Sequence, residues 1–391
     1  MFENIKMTEK LNILQFTPYF PPHKWGVETV AEEIADYWTK KWYWEVINIT
    51  FDVWQTQINH YNLKGYKVYL LPSFDIIPNF PVPKIWKREF WQVFKELRIY
   101  ISEQKDIRVF SHTRFFLSSF IAGLFARKNK LKWFHIEHGS DYVKLSSKLK
   151  SKISYIYDRL IWKWIFKKAD KVLGISEACK KFIVGEFVER EVEVFYRWVV
   201  FPEKLPEVEK LSKKFPWKIL IGFVWRLLKW KNVESLIIAY NNILKSGNEN
   251  IQLVIVWDWE DLGRLKILDG DSNVYFTWSK PFNEALAYQK QFDIHVHSSG
   301  PGWWLATTLL QAMNYNCYIV ATPNEWAKEV IFDWENWTLV KDESVEEIQG
   351  WISQALNNFE KKIEYWEKNK KIIENNFSWG KNIELLYDKV K

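Results

Sequence analysis

Cysteine, glycine and long apolar runs are what this chain has little of. Its 391 residues include two cysteines, Cys179 and Cys317, without the short spacings of a disulfide framework or a zinc site, and they read as buried apolar residues. No run of eighteen uncharged apolar residues occurs, so no transmembrane helix is expected. The opening MFENIKMTEKLNILQF lacks the apolar core and cleavage site of a signal peptide, and a cytoplasmic chain is expected. The sequons Asn48-Ile49-Thr50 and Asn336-Trp337-Thr338 carry no weight without secretion. There is no Walker loop, serine nucleophile elbow or zinc spacing, and no basic–aromatic interleaving of the kind that binds nucleic acid.

The glycine shortage is the most informative. Average usage predicts roughly 27 glycines in a chain of this length, yet there are 14, against 25 tryptophans. Many tryptophans stand in turn contexts: Lys41-Trp42-Tyr43-Trp44, Val256-Trp257-Asp258-Trp259 and Asp333-Trp334-Glu335-Asn336-Trp337. Asp-Gly and Asn-Gly are turn signals, whereas an indole there is exposed and accepts positive φ poorly. We read many of these positions as glycine in the natural protein, from UGA codons translated here as tryptophan; the alternative is a genuinely tryptophan-rich chain. UGG codons at Trp225, Trp257 and Trp303 would overturn that reading.

What is present points to two α/β domains. Leu11 to Thr17 reads as a buried first strand, followed by the loop Pro18 to Gly26, an amphipathic helix from Val27 to Lys40 and strands at Val46–Thr50 and Lys67–Leu71. That order opens a doubly wound parallel sheet. Asp75 to Trp91, rich in prolines, aromatics and lysines, reads as a packed loop before a helix, or as an acceptor or membrane contact. Strands follow at Val109–His112, Trp133–Glu137 and Lys171–Ile175, and Lys144–Lys168 is a basic, aromatic helical stretch that reads as lying on an anionic membrane face or as a solvated helix with an apolar core stripe. The polar stretch Phe201 to Phe215 marks the domain boundary, after which a second strand-and-helix series begins at Lys218. The net charge of +7 favours an anionic partner.

Three constellations carry chemistry. Arg226 and Lys231 follow a strand and are placed for a diphosphate, or form an ordinary surface pair. His138 ends a strand, where it can bond a hydroxyl or serve the structure. The stretch Ser298 to Met313 passes from a turn into an apolar helix whose free amides suit a phosphate. His135 and His138 alternate across a strand and make no metal motif, and His295 and His297 read as packing. Asp269-Gly270-Asp271 reads as a plain turn.

Taken in order, PYFPPHKWGVET, EHGSDYV, VLGISEACKKFI, YRWVV, FVWRLLKWKNVESLI, VWDWED, LLQAMNYNCYIVATPNEWAKEVI and FSWGKNIELLYDKV resemble the motifs of glycosyltransferase family 4 over essentially the whole chain. Nearly every mismatch is a tryptophan at a family glycine; Trp379 matches a family tryptophan. The resemblance implies an α/β fold of GT-B type, with two facing Rossmann-like domains. Residues 1–200 would form the acceptor-side domain, 201–375 the nucleotide-sugar domain, and 376–391 a helix packing back on the first.

It further implies a retaining, metal-independent transferase without a cofactor. Such an enzyme moves sugar from a UDP- or GDP-sugar to a glycan or lipid-linked acceptor in cell-envelope polysaccharide or glycolipid synthesis, at the cytoplasmic membrane face. Carried over by position, Arg226 and Lys231 would bind and neutralise the donor diphosphate. Trp25 and Gly26 would let backbone approach the donor, and His138 would bond the donor sugar. Trp303, Trp304, Leu305, Thr307 and Thr308 would cradle the diphosphate, and Gln311 would bond a ribose. The family's paired glutamates are absent: the second falls at Gln311 and the first, eight positions earlier, at Trp303. The family's Asn before Gly-Val-Asp is Arg197. These departures keep two alternatives open, an impaired sugar-nucleotide-binding or scaffold protein and a GT-B nucleotide-sugar epimerase.

Overall fold

The computed structural model describes residues 11–391 apart from 24–25, 43, 57, 78–79, 143–147, 225–230, 257–261, 271–272, 278–279, 299–306, 323–326, 331–337, 340–341 and 343. The chain divides into two compact units, residues 1–197 with 383–391, and residues 198–382.

The first unit is built on one sheet. Its strands are β1 (Asn12–Phe16), β2 (Glu45–Asp52), β3 (His60–Leu63), β4 (Tyr66–Ile77), β5 (Phe80–Pro83), β6 (Ile107–His112), β7 (Lys132–Glu137), β8 (Lys171–Gly174) and β9 (Glu193–Val194). Their order is β3-β4-β2-β1-β6-β7-β8-β9, with β5 on β4. Pairing is parallel except where β3 and β5 meet β4. β1, β6 and β7 are apolar and covered on both faces, as parallel strands between helices must be. Helix Gly26–Trp42 follows β1 and buries Val27, Val30, Ala31, Ile34 and Trp38, one face at helical spacing.

Three local features were not visible in the sequence. Asp75–Trp91 is not one loop, because β4 runs on to Ile77, turns back as β5 and leads into helix Arg88–Glu103. Pro81 and Pro83 are tolerated because β5 pairs with β4 alone and needs no second ladder. The basic stretch after residue 147 is helical, as helix Lys148–Tyr157, a π-helical turn Asp158–Trp162 and helix Lys163–Lys168. Strand β3 carried no sequence signal, since its four residues alternate between exposed and half-buried without an apolar run.

The second unit repeats the plan with β10 (Ile219–Val224), β11 (Ile251–Val256), β12 (Tyr275–Phe276), β13 (Ile294–His297), β14 (Tyr318–Ala321) and β15 (Thr338–Leu339). The order β12-β11-β10-β13-β14-β15 is parallel throughout the described pairs. Gly222 on β10 lies under the Phe292 ring, 1.8 Å from where a Cβ would stand. The polar Phe201–Phe215 stretch packs on this unit: Leu211 is buried and its N–H donates to Gln291 Oε1 at 2.9 Å. Asp269 turns the chain, accepting from the Val274 N–H at 3.2 Å. Residues 383–391 join the first unit, where Tyr387 packs on Trp44 with ring centroids 5.1 Å apart.

Each sheet has one point where strand order reverses. In the first unit the chain builds outward from β1 through β2, then returns to place β6 on the other side of β1. In the second it builds from β10 through β11 and returns to place β13. The carboxyl ends of such strand pairs are where open α/β sheets bind ligands.

Candidate functional site

At the first reversal, β6 ends on His112 and β7 runs beside it with Ile136 opposite His112. His138, two residues on, therefore emerges on the same face as His112. The His112 Nδ1 and His138 Nε2 are 3.2 Å apart, and His112 Nε2 lies 3.1 Å from Gln15 Oε1 on β1. Gln15 in turn donates to Ala31 O at 2.9 Å and to Asn48 Oδ1 at 2.6 Å. All four side chains are buried. Burial, with His135 nearby, pushes the His112 imidazole down to about 3. Burial first, then His112, Arg197 and His135, holds His138 well below its ordinary value. Both rings are therefore neutral at physiological pH.

The opposite face of β7 anchors this turn. Glu137 accepts from the Arg114 N–H at 2.8 Å, from Arg114 Nη1 at 2.7 Å and from the Gly139 N–H at 2.7 Å. Burial alone would raise its carboxyl; the Arg114 cation, His135 and the Gly139 N–H outweigh it and hold it below the usual range. Gly139 has no room for a side chain, since a Cβ would stand 2.6 Å from Arg114 Nη1. Thr113, directly after His112, takes φ 56°. A β-branched residue there is strained by about 1–3 kcal/mol, a feature that clusters at functional sites. The Thr113 N–H donates to Ile136 O at 2.8 Å, and Ser119 Oγ donates to Thr113 O at 2.7 Å.

Gly26 begins its helix with Arg197 against it, 3.3 Å from a would-be Cβ to Nη1. Arg197 thus stands near both Gly26 and His138.

At the second reversal, β10 is followed after the undescribed 225–230 by Lys231, which is 3% exposed. Ser298, directly after β13, donates its hydroxyl to Lys231 O at 3.0 Å. Burial, then the Lys231 cation and His295, holds His297 well below its ordinary value, so the Lys231 charge stands at the end of β13. Helix Thr307–Asn314 follows, with Thr307 and Thr308 half-buried in its first turn and Gln311 buried. Gln289 Nε2 donates to Thr308 O at 2.9 Å. Trp25, Arg226, Trp303, Trp304 and Leu305 lie outside the described residues. Among the described residues, no group of three or more His, Cys, Asp or Glu is placed to hold a metal ion.

Gln15, His112, Arg114 and Glu137 were missed in the sequence. For three of them the one signal was polarity inside apolar strands: a glutamine within NILQF, a histidine ending IRVFSH, a glutamate ending KWFHIE; Arg114, beyond β6, had none.

Two family descriptions match this chain. Residues 26–200 match Glycosyltransferase Family 4, and residues 207–379 match Glycosyl transferases group 1. An uncharacterized glycosyltransferase of Methanocaldococcus jannaschii is 40% identical over 385 residues, 96% of each chain. Among solved structures, sucrose-phosphate synthase from Thermosynechococcus elongatus superposes with a TM-score of 0.75 at 12% identity, covering 97% of this chain and 99% of that one. A glycosyltransferase from Rickettsia africae gives 0.72 at 18% identity, with 98% of both chains covered. Anabaena HepE in complex with UDP and glucose gives 0.70 at 13% identity, covering 97% of this chain and 99% of that one. The chain belongs to glycosyltransferase family 4, with the GT-B fold, and is a glycosyltransferase.

Proposed function

We propose that this glycosyltransferase is retaining and metal-independent, and moves a sugar from a nucleotide-sugar to a glycan or lipid-linked acceptor. The observation that carries the reading is the position of the two clusters, His138 with His112 and Lys231 with Ser298, each at a strand-order reversal. In this scheme Lys231, with Arg226 before it, neutralises charge developing on the departing diphosphate, the largest electrostatic demand of the reaction. In this reading the two cations do the work that a divalent ion does elsewhere. The amides of Thr307 and Thr308 add to the cradle, and His138 holds a hydroxyl of the donor sugar. Gln311, where the family has glutamate, serves as a neutral ribose contact. The Anabaena protein's structures with UDP and UDP-glucose support a UDP-sugar as the first donor to try.

A lipid-linked acceptor at the cytoplasmic membrane face is supported by exposed Ile85, Trp86 and Trp91 beside Lys84, Lys87 and Arg88. No helix of the described chain is long and apolar enough to cross a membrane, so contact would be peripheral. Cell-envelope polysaccharide or glycolipid synthesis is the setting this acceptor class suits.

The test is nucleotide release from a panel of UDP- and GDP-sugars, with and without acceptor extracts. Acceptor-dependent release supports transfer. Interconversion of the nucleotide-sugar without acceptor would support an epimerase, and tight binding without turnover a binding protein.

A further inference from the structure

The buried hydrogen-bond chain in the first unit has a direction, and a backbone carbonyl sets it. A backbone carbonyl can only accept, so the contact with Ala31 O fixes the Nε2 end of the Gln15 amide against the helix. Its Oε1 end then faces His112 Nε2, which must carry a proton to donate. A neutral imidazole has one N–H, so His112 Nδ1 is left as an acceptor. The only complementary state of His138 is an Nε2–H donating to it across 3.2 Å, which leaves His138 Nδ1 bare. Two imidazolium rings could not face each other in this way, and the Arg197 and His135 side chains add no anion that would favour one.

We propose that Gln15 and His112 are positioning residues that set the tautomer of His138, so that its Nδ1 accepts a hydroxyl hydrogen of the donor sugar and cannot donate to it. The proposal rests on reading His138 as a donor-sugar contact. It adds a specificity rule: the sugar atom meeting His138 must be a hydroxyl that donates, and a deoxy or O-methyl sugar at that position loses the bond. Asn48, held to the same glutamine amide, completes the chain back to β2.

The tautomer is read directly from imidazole nitrogen spectra of protein labelled with 15N-histidine, with resonances assigned by single substitution. The expected result is protonated Nε2 and unprotonated Nδ1 for both His112 and His138. In His112→Leu the His138 Nδ1 resonance should move toward the protonated position and kcat/KM fall roughly tenfold, the worth of one hydrogen bond. His112→Gln should restore both, because its amide can donate to Gln15 and accept from His138. If His112→Leu does not fold, Gln15→Met removes the directing acceptor and should shift the same resonance. A proton on His138 Nδ1 in the parent overturns the proposal, as does a folded His112→Leu with the His138 tautomer or kcat/KM unmoved. The spectrum needs no substrate, so the relay and the transfer reaction fail separately.

Discussion

Trp217 stands 91% exposed with φ 66°, third in a turn that Phe215 begins, with Pro216 second and the Lys218 N–H closing onto Phe215 O at 3.4 Å. That position of a Pro-initiated turn favours glycine, and an indole there gains no burial to offset the strain. Trp217→Gly is expected to raise unfolding stability by about 1 kcal/mol in chemical denaturation. Trp133 behaves oppositely. Its indole fills the space over Gly123, 2.4 Å from a would-be Cβ, and its N–H donates to Ser111 Oγ at 2.8 Å. Trp133→Gly should cost about 3–5 kcal/mol. The two signs separate tryptophans that the fold uses from those standing in glycine positions. A third residue speaks through pH. Asp158, on the π-helical turn, has both carboxyl oxygens buried without a hydrogen-bond partner, and burial pushes its acid up to about 8 against the pull of Arg114. Between the ordinary carboxylate value and about 8 the native state holds a proton that the unfolded chain releases, so stability falls as pH rises through that window. Asp158→Asn should remove that slope, gaining on the parent toward pH 8 and matching its pH dependence in acid; parallel curves would contradict it.

At the scale of elements, legibility tracked pattern strength. The apolar strands NILQF, ILIGFV and IQLVIV were readable because burial on both faces leaves a continuous apolar run. Strand β3 and the proline-bearing β5 were not, because half-buried edge strands need no such run. The break at Asp158–Trp162 was hidden for another reason: a π-helical turn keeps helical composition and differs only in register. Of the candidate site, His138, Lys231 and Gln311 were named from family position. The partners that orient His138 were not, since Gln15, His112 and Glu137 lie on strands separated in sequence and meet only through sheet pairing. Element packing yields its own prediction. Gly222 has Phe292 where a methyl group would go, so Gly222→Ala must shift a buried ring. A loss of about 1–3 kcal/mol is expected, with partial recovery when Phe292→Leu is added; additive losses would contradict the direct contact.

For the whole molecule, two sheets of the same winding each place one polar cluster at the reversal of strand order. A chain of net charge +7 with a buried lysine at one of these points is suited to an anionic substrate. The family establishes glycosyl transfer; in the proposed reading each cluster has its own part in the reaction. The most direct measurement is turnover of a nucleotide-sugar by the parent chain, His138→Ala and Lys231→Ala, each first shown to melt cooperatively. The account predicts that kcat falls about 10²–10³-fold in Lys231→Ala, as for loss of a preorganised charge at a developing anion. His138→Ala should fall by about tenfold or more in kcat/KM. Folded variants that both turn over the donor at the parent rate would contradict it.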